Sequence, residues 1–174
     1  MTGNMIPILT SLGFTPSSHP LLAFNRLHQS LLIASLAQDM TQDILDETIR
    51  TATNSLAGLS NVLRKGHPVR GVALAELGKM LAVDEPSPST LPSPVTNASF
   101  PPSGPPRLKL AFETCINARN ELLIGFGLEN EGGQVGREVR ECIASLEKEL
   151  GTWSQAVRNA IENTPTKNKK SLHE

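Results

Sequence analysis

An all-α fold of stacked antiparallel helical hairpins is the architecture this sequence predicts, and three observations predict it. Apolar residues recur at the 3.6-residue helical period through five long segments, and no window alternates as a half-buried strand would. The dipeptide His-Pro opens two of those segments, at His19-Pro20 and His67-Pro68, 48 residues apart. Within Gly66 to Leu81, GHPVRGVALAELGKML, Gly71 and Gly78 stand seven residues apart inside a helical pattern. Glycine in a helix interior costs about 1 kcal/mol relative to alanine. Two in one short helix therefore imply that another backbone comes close to that face.

The elements follow in order. Residues 1–18 read as a flexible N-terminal segment. Pro20 to Ala37 forms the first helix, with proline at an early helical position and Leu21, Phe24, Leu27, Leu31 and Leu32 apolar. The second spans Thr41 to Leu63 along the stripe Leu45, Thr48, Ala52, Leu56, Leu59 and Leu63. Pro68 starts a third that reaches Val83. Between 84 and 106 the composition changes: eight of the thirteen prolines lie here, with five serines and no charge from Pro86 to Pro106. Proline removes backbone donors and restricts the residue before it, so this Pro/Ser-rich insertion is expected to be disordered. A fourth helix runs from Arg107 to Phe126 with Leu108, Ala111, Cys115, Ala118 and Leu122 on one face. Gly132-Gly133 breaks the chain. A fifth extends from Gln134 to Ile161 along Val135, Val139, Cys142, Leu146, Leu150, Trp153 and Val157, with Gly151 as a point of bending. Residues 163–174, carrying Lys167, Lys169 and Lys170, read as a flexible basic tail.

Composition narrows the function classes. A net charge of −1 and 3% aromatic residues supply neither the cations that phosphate contacts need nor rings for base stacking, so nucleic acid is not an expected partner. Cys115 and Cys142 fall in apolar helical patterns rather than in ligand spacing, which reads as core thiols in a reducing compartment. No basic segment precedes Met5 to Leu12, and no apolar run approaches the roughly eighteen residues of a spanning helix. Neither a secretory signal nor a membrane anchor is expected, and the location implied is intracellular, cytoplasmic or nuclear. His19, His28 and His67 share no metal-ligand spacing. The glycines from Gly125 to Gly132 have Glu121, Glu129 and Glu131 beside them, which would repel a phosphate. Arg137, Glu138, Arg140, Glu141, Glu147, Lys148 and Glu149 follow a solvated helical face.

Leu74-x-x-Leu77-Gly78-x-x-Leu81, followed in the next helix by Ala111-x-x-x-Cys115-x-x-Ala118, resembles a tetratricopeptide-type hairpin, in which small residues let two helices approach. Leucines stand where that repeat usually has aromatics, and cysteine replaces phenylalanine. The repeat's register points Ala75 and Lys79 into a concave groove. A register from Phe24 adds Asn25 and Gln29, and one from Val139 adds Arg140. These amides and cations are candidates for holding an extended peptide with a carboxylate. The competing reading makes Lys79 and Arg140 ordinary solvated charges.

HPVRGVALAELGKMLAVDEP, then LKLAFETCINARNELLIGFG and GGQVGREVRECIASLEKEL, together resemble the C-terminal helical region of SET- and MYND-domain protein lysine methyltransferases over roughly residues 19 to 162. That resemblance implies a tetratricopeptide-like domain that packs on a SET domain and offers a surface to partners such as a chaperone C-terminal tail. A SET site uses a tyrosine and this chain has none; a MYND zinc module needs more than two cysteines. The expectation is thus a non-catalytic protein-interaction module, with no cofactor of its own and S-adenosylmethionine relevant only if it is joined to a SET domain. The alternatives are a stand-alone adaptor and a chain contributing to an enzyme site shared with another.

Overall fold

The computed structural model describes residues 2–39, 41–83 and 104–162. They form six helices and, among the described residues, no strand: α1 (Thr2–Ser11), α2 (His19–Gln38), α3 (Gln42–Val62), α4 (Pro68–Leu81), α5 (Pro105–Phe126) and α6 (Gly133–Glu162). Of the insertion expected to be disordered, 84 to 106, residues 84–103 lie outside the described residues, as does the tail from 163 to 174, whereas Gly104 caps α5 and Pro105 and Pro106 are its first two residues.

Helix α1 is the difference from the five-helix expectation. It occupies the N-terminal segment that the sequence reads as flexible, and it packs on α2. Pro7 lies inside this ten-residue helix and removes one backbone donor. The link that follows is tied to the end of α3: Asn61 Nδ2 donates to Ser17 Oγ at 2.9 Å, and a Cβ on Gly58 would overlap the Pro16 carbonyl oxygen.

Local chemistry sets the other boundaries. The Thr41 hydroxyl accepts from the Ile44 N–H at 3.4 Å, capping α3, and Asp43 complements the positive end of the helix dipole. The two His-Pro openings are not equivalent. His67 is the N-cap of α4, its Nδ1 accepting from the Val69 N–H at 3.2 Å, whereas α2 already includes His19 and has Ser18 as its cap. Pro105 and Pro106 supply the first turn of α5, so this helix begins two residues before Arg107, where missing N–H groups cost nothing. Gly151 does not divide α6, which runs unbroken for 30 residues.

The core joins Leu45, Ile49 and Ala52 of α3 to Leu74, Leu77 and Leu81 of α4, Leu108, Ala111, Cys115, Ala118 and Leu122 of α5, and Val139 and Leu146 of α6. On α2 the inward line is Leu21, Asn25 and Gln29, spaced four apart, while Leu27 and Leu31 are each 50% exposed. The expected apolar face of the first helix is therefore turned partly outward.

Each helix packs on its neighbour in the chain, α4 on α5 most extensively. Contacts fix the directions. Leu22 meets Gly58 and His28 meets Glu47, making α2 and α3 antiparallel. Leu122 meets Gly132 and the Cys115 sulfur lies 3.8 Å from that of Cys142, making α5 and α6 antiparallel. Between α4 and α5 the two glycines decide the spacing. A Cβ at Gly71 would stand 2.9 Å from Leu122 Cγ, and one at Gly78 would stand 2.6 Å from Cys115 Sγ. Seven residues separate the glycines, and seven separate Leu122 from Cys115, in the opposite direction. Gly71 and Gly78 are the notches into which α5 fits.

Substitution at these notches should be costly in proportion to bulk. Gly78→Leu is expected to lower the free energy of unfolding by about 1–3 kcal/mol in a urea titration, through overpacking. Gly78→Ala should show none of the roughly 1 kcal/mol gain that helix propensity offers. Gly151, which has nothing within 4 Å of its would-be Cβ, is the contrasting position. There Gly151→Ala should deliver that gain.

Candidate functional site

Helix α4 presents two different polar faces. Arg70 and Lys79 are nine residues apart, which at about 100° per residue places them on opposite sides of the helix. One side is closed by side-chain ties to its neighbours, and the other is open.

On the closed side, Glu76 is held by α2. Its Oε2 accepts from Arg26 Nη1 at 2.8 Å and from Gln29 Nε2 at 2.9 Å, and Arg26 also donates to Gln29 Oε1 at 3.1 Å. Three residues further along α4, Lys79 Nζ reaches Glu138 Oε2 on α6. The Lys79 ammonium, by hydrogen bond and charge, holds the Glu138 carboxyl below the usual carboxylate range, with Gln134 Nε2 adding a further bond. A chain of charged and amide groups thus crosses from α2 over α4 to α6.

On the open side, α3, α4 and α5 enclose a cleft of about 450 Å³. Leu56, Leu74 and Ile124 form its apolar walls, and Asn117 and Asn120, both exposed on α5, line it with amides. Lys65 is at the turn between α3 and α4. Glu121 is buried beside it, its side chain 5% exposed. A buried carboxylate is tolerated only when paired and hydrogen-bonded. Here Arg70 Nη2 lies 3.2 Å from Glu121 Oε1, and the Gly66 N–H donates to Oε2. Gly66 has a φ of 81°, and a Cβ on Gly125 would be 2.7 Å from its carbonyl oxygen, so glycine on both segments brings this turn against α5. Arg70 Nε is buried and donates to no acceptor among the described residues.

The residues singled out from the sequence fall on the closed side or away from both. Asn25 and Gln29 are 3% and 2% exposed, and Ala75 is buried. Lys79 is taken up by Glu138. Arg140, two residues along α6 from Glu138 and so about 200° around it, is exposed and pairs with Glu131. The structure brings Gln29 and Lys79 onto neighbouring helix contacts and does not bring Arg140 to them. The cleft residues Arg70, Asn117, Asn120 and Glu121 were not singled out as a site. One signal was available: Glu121 follows Ala118 by three on the buried stripe, where an acid requires a partner.

No protein-family model, curated protein or solved structure matches this chain. Among the described residues no helix is long and apolar enough to cross a membrane, and no group of three or more His, Cys, Asp or Glu is placed to hold a metal ion.

Two ion pairs of different burial make a test. Arg70→Leu leaves the Glu121 carboxylate buried with only the Gly66 N–H, and should cost about 3 kcal/mol of stability in chemical denaturation. Arg140→Leu breaks an exposed pair and should change stability by less than about 1 kcal/mol.

Proposed function

We propose that this chain is a non-catalytic helical interaction module, a tetratricopeptide-like stack comparable to the C-terminal region of SET- and MYND-domain methyltransferases without their catalytic and zinc-binding parts. The order of packing supports it. Antiparallel pairs succeed one another along the chain, and side chains of α4 reach α2 through Glu76 and α6 through Lys79, as stacked hairpins require. On this reading S-adenosylmethionine chemistry belongs to a SET domain elsewhere, and no residue here is assigned to it.

The observation that carries the reading is the open cleft between α3, α4 and α5. An extended peptide presents backbone N–H and C=O groups that Asn117 and Asn120 can pair, and apolar walls at Leu56 and Ile124 can take a side chain. Lys65 favours a carboxylate at one end, while the charge of Glu121 is neutralised by Arg70. The side holding Gln29 and Lys79 is occupied by its own ion pairs, which a peptide would have to break. Those residues hold the stack together in this proposal, and an acidic C-terminal tail, of the kind chaperones carry, docks on the other face.

Fluorescence anisotropy with a labelled acidic C-terminal peptide tests it. The parent should bind with a micromolar dissociation constant, and the variant Lys65→Glu, Asn120→Ala should bind about tenfold more weakly, the equivalent of about 1.4 kcal/mol. Lys79→Glu, Arg140→Glu should bind within about threefold of the parent. Loss of binding in the second variant but not the first moves the site to the α2, α4, α6 side; no binding by the parent removes the peptide proposal.

A further inference from the structure

Cys115 and Cys142 are the chain's two cysteines, and the fold brings them together from positions 27 residues apart on successive helices. Both are free thiols. Cys115 is fully buried on α5, with its sulfur in the notch opposite Gly78, and Cys142 is half-buried on α6. Their sulfurs are 3.8 Å apart, in van der Waals contact. We propose that Cys115 and Cys142 are a redox-active dithiol, oxidised to an intramolecular disulfide by a low-molecular-weight disulfide of the glutathione class, which staples α5 to α6.

The burial difference assigns the order of events. Cys142 is the thiol an external disulfide can reach, and Cys115 is the one that cannot be reached except through Cys142. The Cys115 S–H donates to the Cys142 sulfur, and this bond, with the nearby Lys79 ammonium, outweighs partial burial and draws the Cys142 thiol down to about 7. The same contact and deeper burial push the Cys115 thiol up, so its proton stays in place until Cys142 has reacted. Lys79 keeps its ion pair with Glu138 on α6, which holds the ammonium beside Cys142.

The chemistry balances without other reactants. The Cys142 thiolate attacks one sulfur of the oxidant, its S–S bond breaks, and one thiolate leaves, giving a mixed disulfide at Cys142. Cys115 passes its proton to the departing thiolate, and its sulfur attacks the Cys142 sulfur and expels the second thiolate. Two protein thiols are oxidised, and one small disulfide is reduced to two thiols. Closing the sulfurs from contact to a bond of about 2.05 Å shortens their separation by less than about 2 Å, and Gly78 presents no Cβ against the Cys115 sulfur from α4. The proposal is independent of the peptide-docking reading.

Intact-mass spectrometry of the reduced full chain treated with oxidised glutathione tests it. The parent should lose about 2 Da and keep no glutathionyl group, and its thermal midpoint should rise by about 5–10 °C, reversed by dithiothreitol. Cys115→Ala should instead retain one glutathionyl group, and Cys142→Ser should react at least tenfold more slowly than either, with circular dichroism confirming that both variants are helical. A parent that keeps the glutathionyl group as Cys115→Ala does, or that does not react, overturns the proposal. So does loss of the 2 Da with no shift in thermal midpoint, because α5 and α6 would then not be stapled.

Discussion

The close approach of α4 to α5 is the constraint on which the rest of the structure depends. Gly71 and Gly78 remove two side chains from one face of α4, and Leu122 and Cys115 fill the space. A helix pair normally packs 8–10 Å apart, at a distance set by the side chains at the contact. Without Cβ atoms at both notches the helices come closer, and Ala111 and Ala118 continue the small-residue seam along α5. The entropic and propensity cost of two helical glycines is offset by buried contact between Leu74, Leu77 and Leu81 and their partners. The seam also settles where other groups stand. It fixes the α3–α4 turn against Gly125, delivers the Gly66 N–H to Glu121, and seats the Cys115 sulfur so that α6 must place Cys142 beside it.

Electrostatics then gives the two sides of α4 different characters. Glu76 pairs with Arg26 and Lys79 with Glu138, which links α2 and α6 to α4. Such partly exposed pairs contribute little to stability and more to register, since each pairing is satisfied at one alignment of the helices. On the other side the buried Glu121 leaves no such latitude. It needs both Arg70 and the Gly66 N–H, and in meeting that need it holds Arg70 at the edge of the cleft, where amides and a lysine also converge.

Most helices were legible in the sequence because their apolar residues recur every three to four positions, and Gly71 and Gly78 announced the close approach before its partner was known. The cap at His67 follows from the same local chemistry, whereas Pro105 and Pro106, read as part of the insertion, open α5. Helix α1 was not legible: Pro7 breaks the pattern, and Met5, Ile8 and Leu12 are exposed, so they carry no signal of burial. The inward line of α2 was hidden for another reason. Asn25 and Gln29 are polar and buried, Gln29 within a hydrogen-bonded group that includes Glu76, 47 residues away, and residue-by-residue hydrophobicity pointed instead to Leu27 and Leu31. The cleft joins the end of α3, a turn, the start of α4 and the end of α5, and no local pattern records such a convergence. Only Glu121, an acid on a buried stripe, hinted at it.

A double-mutant cycle at Gly78 and Cys115 tests the central claim most directly. If the Cys115 sulfur fills the space that Gly78 leaves, then Gly78→Ala should destabilise the parent, and the same change made in Cys115→Ala should be neutral or stabilising. Denaturant unfolding of the four proteins should yield a coupling free energy of about 1 kcal/mol or more, as expected for residues in direct contact. Additive effects within about 0.3 kcal/mol would contradict the account, since the two positions would then not share one space.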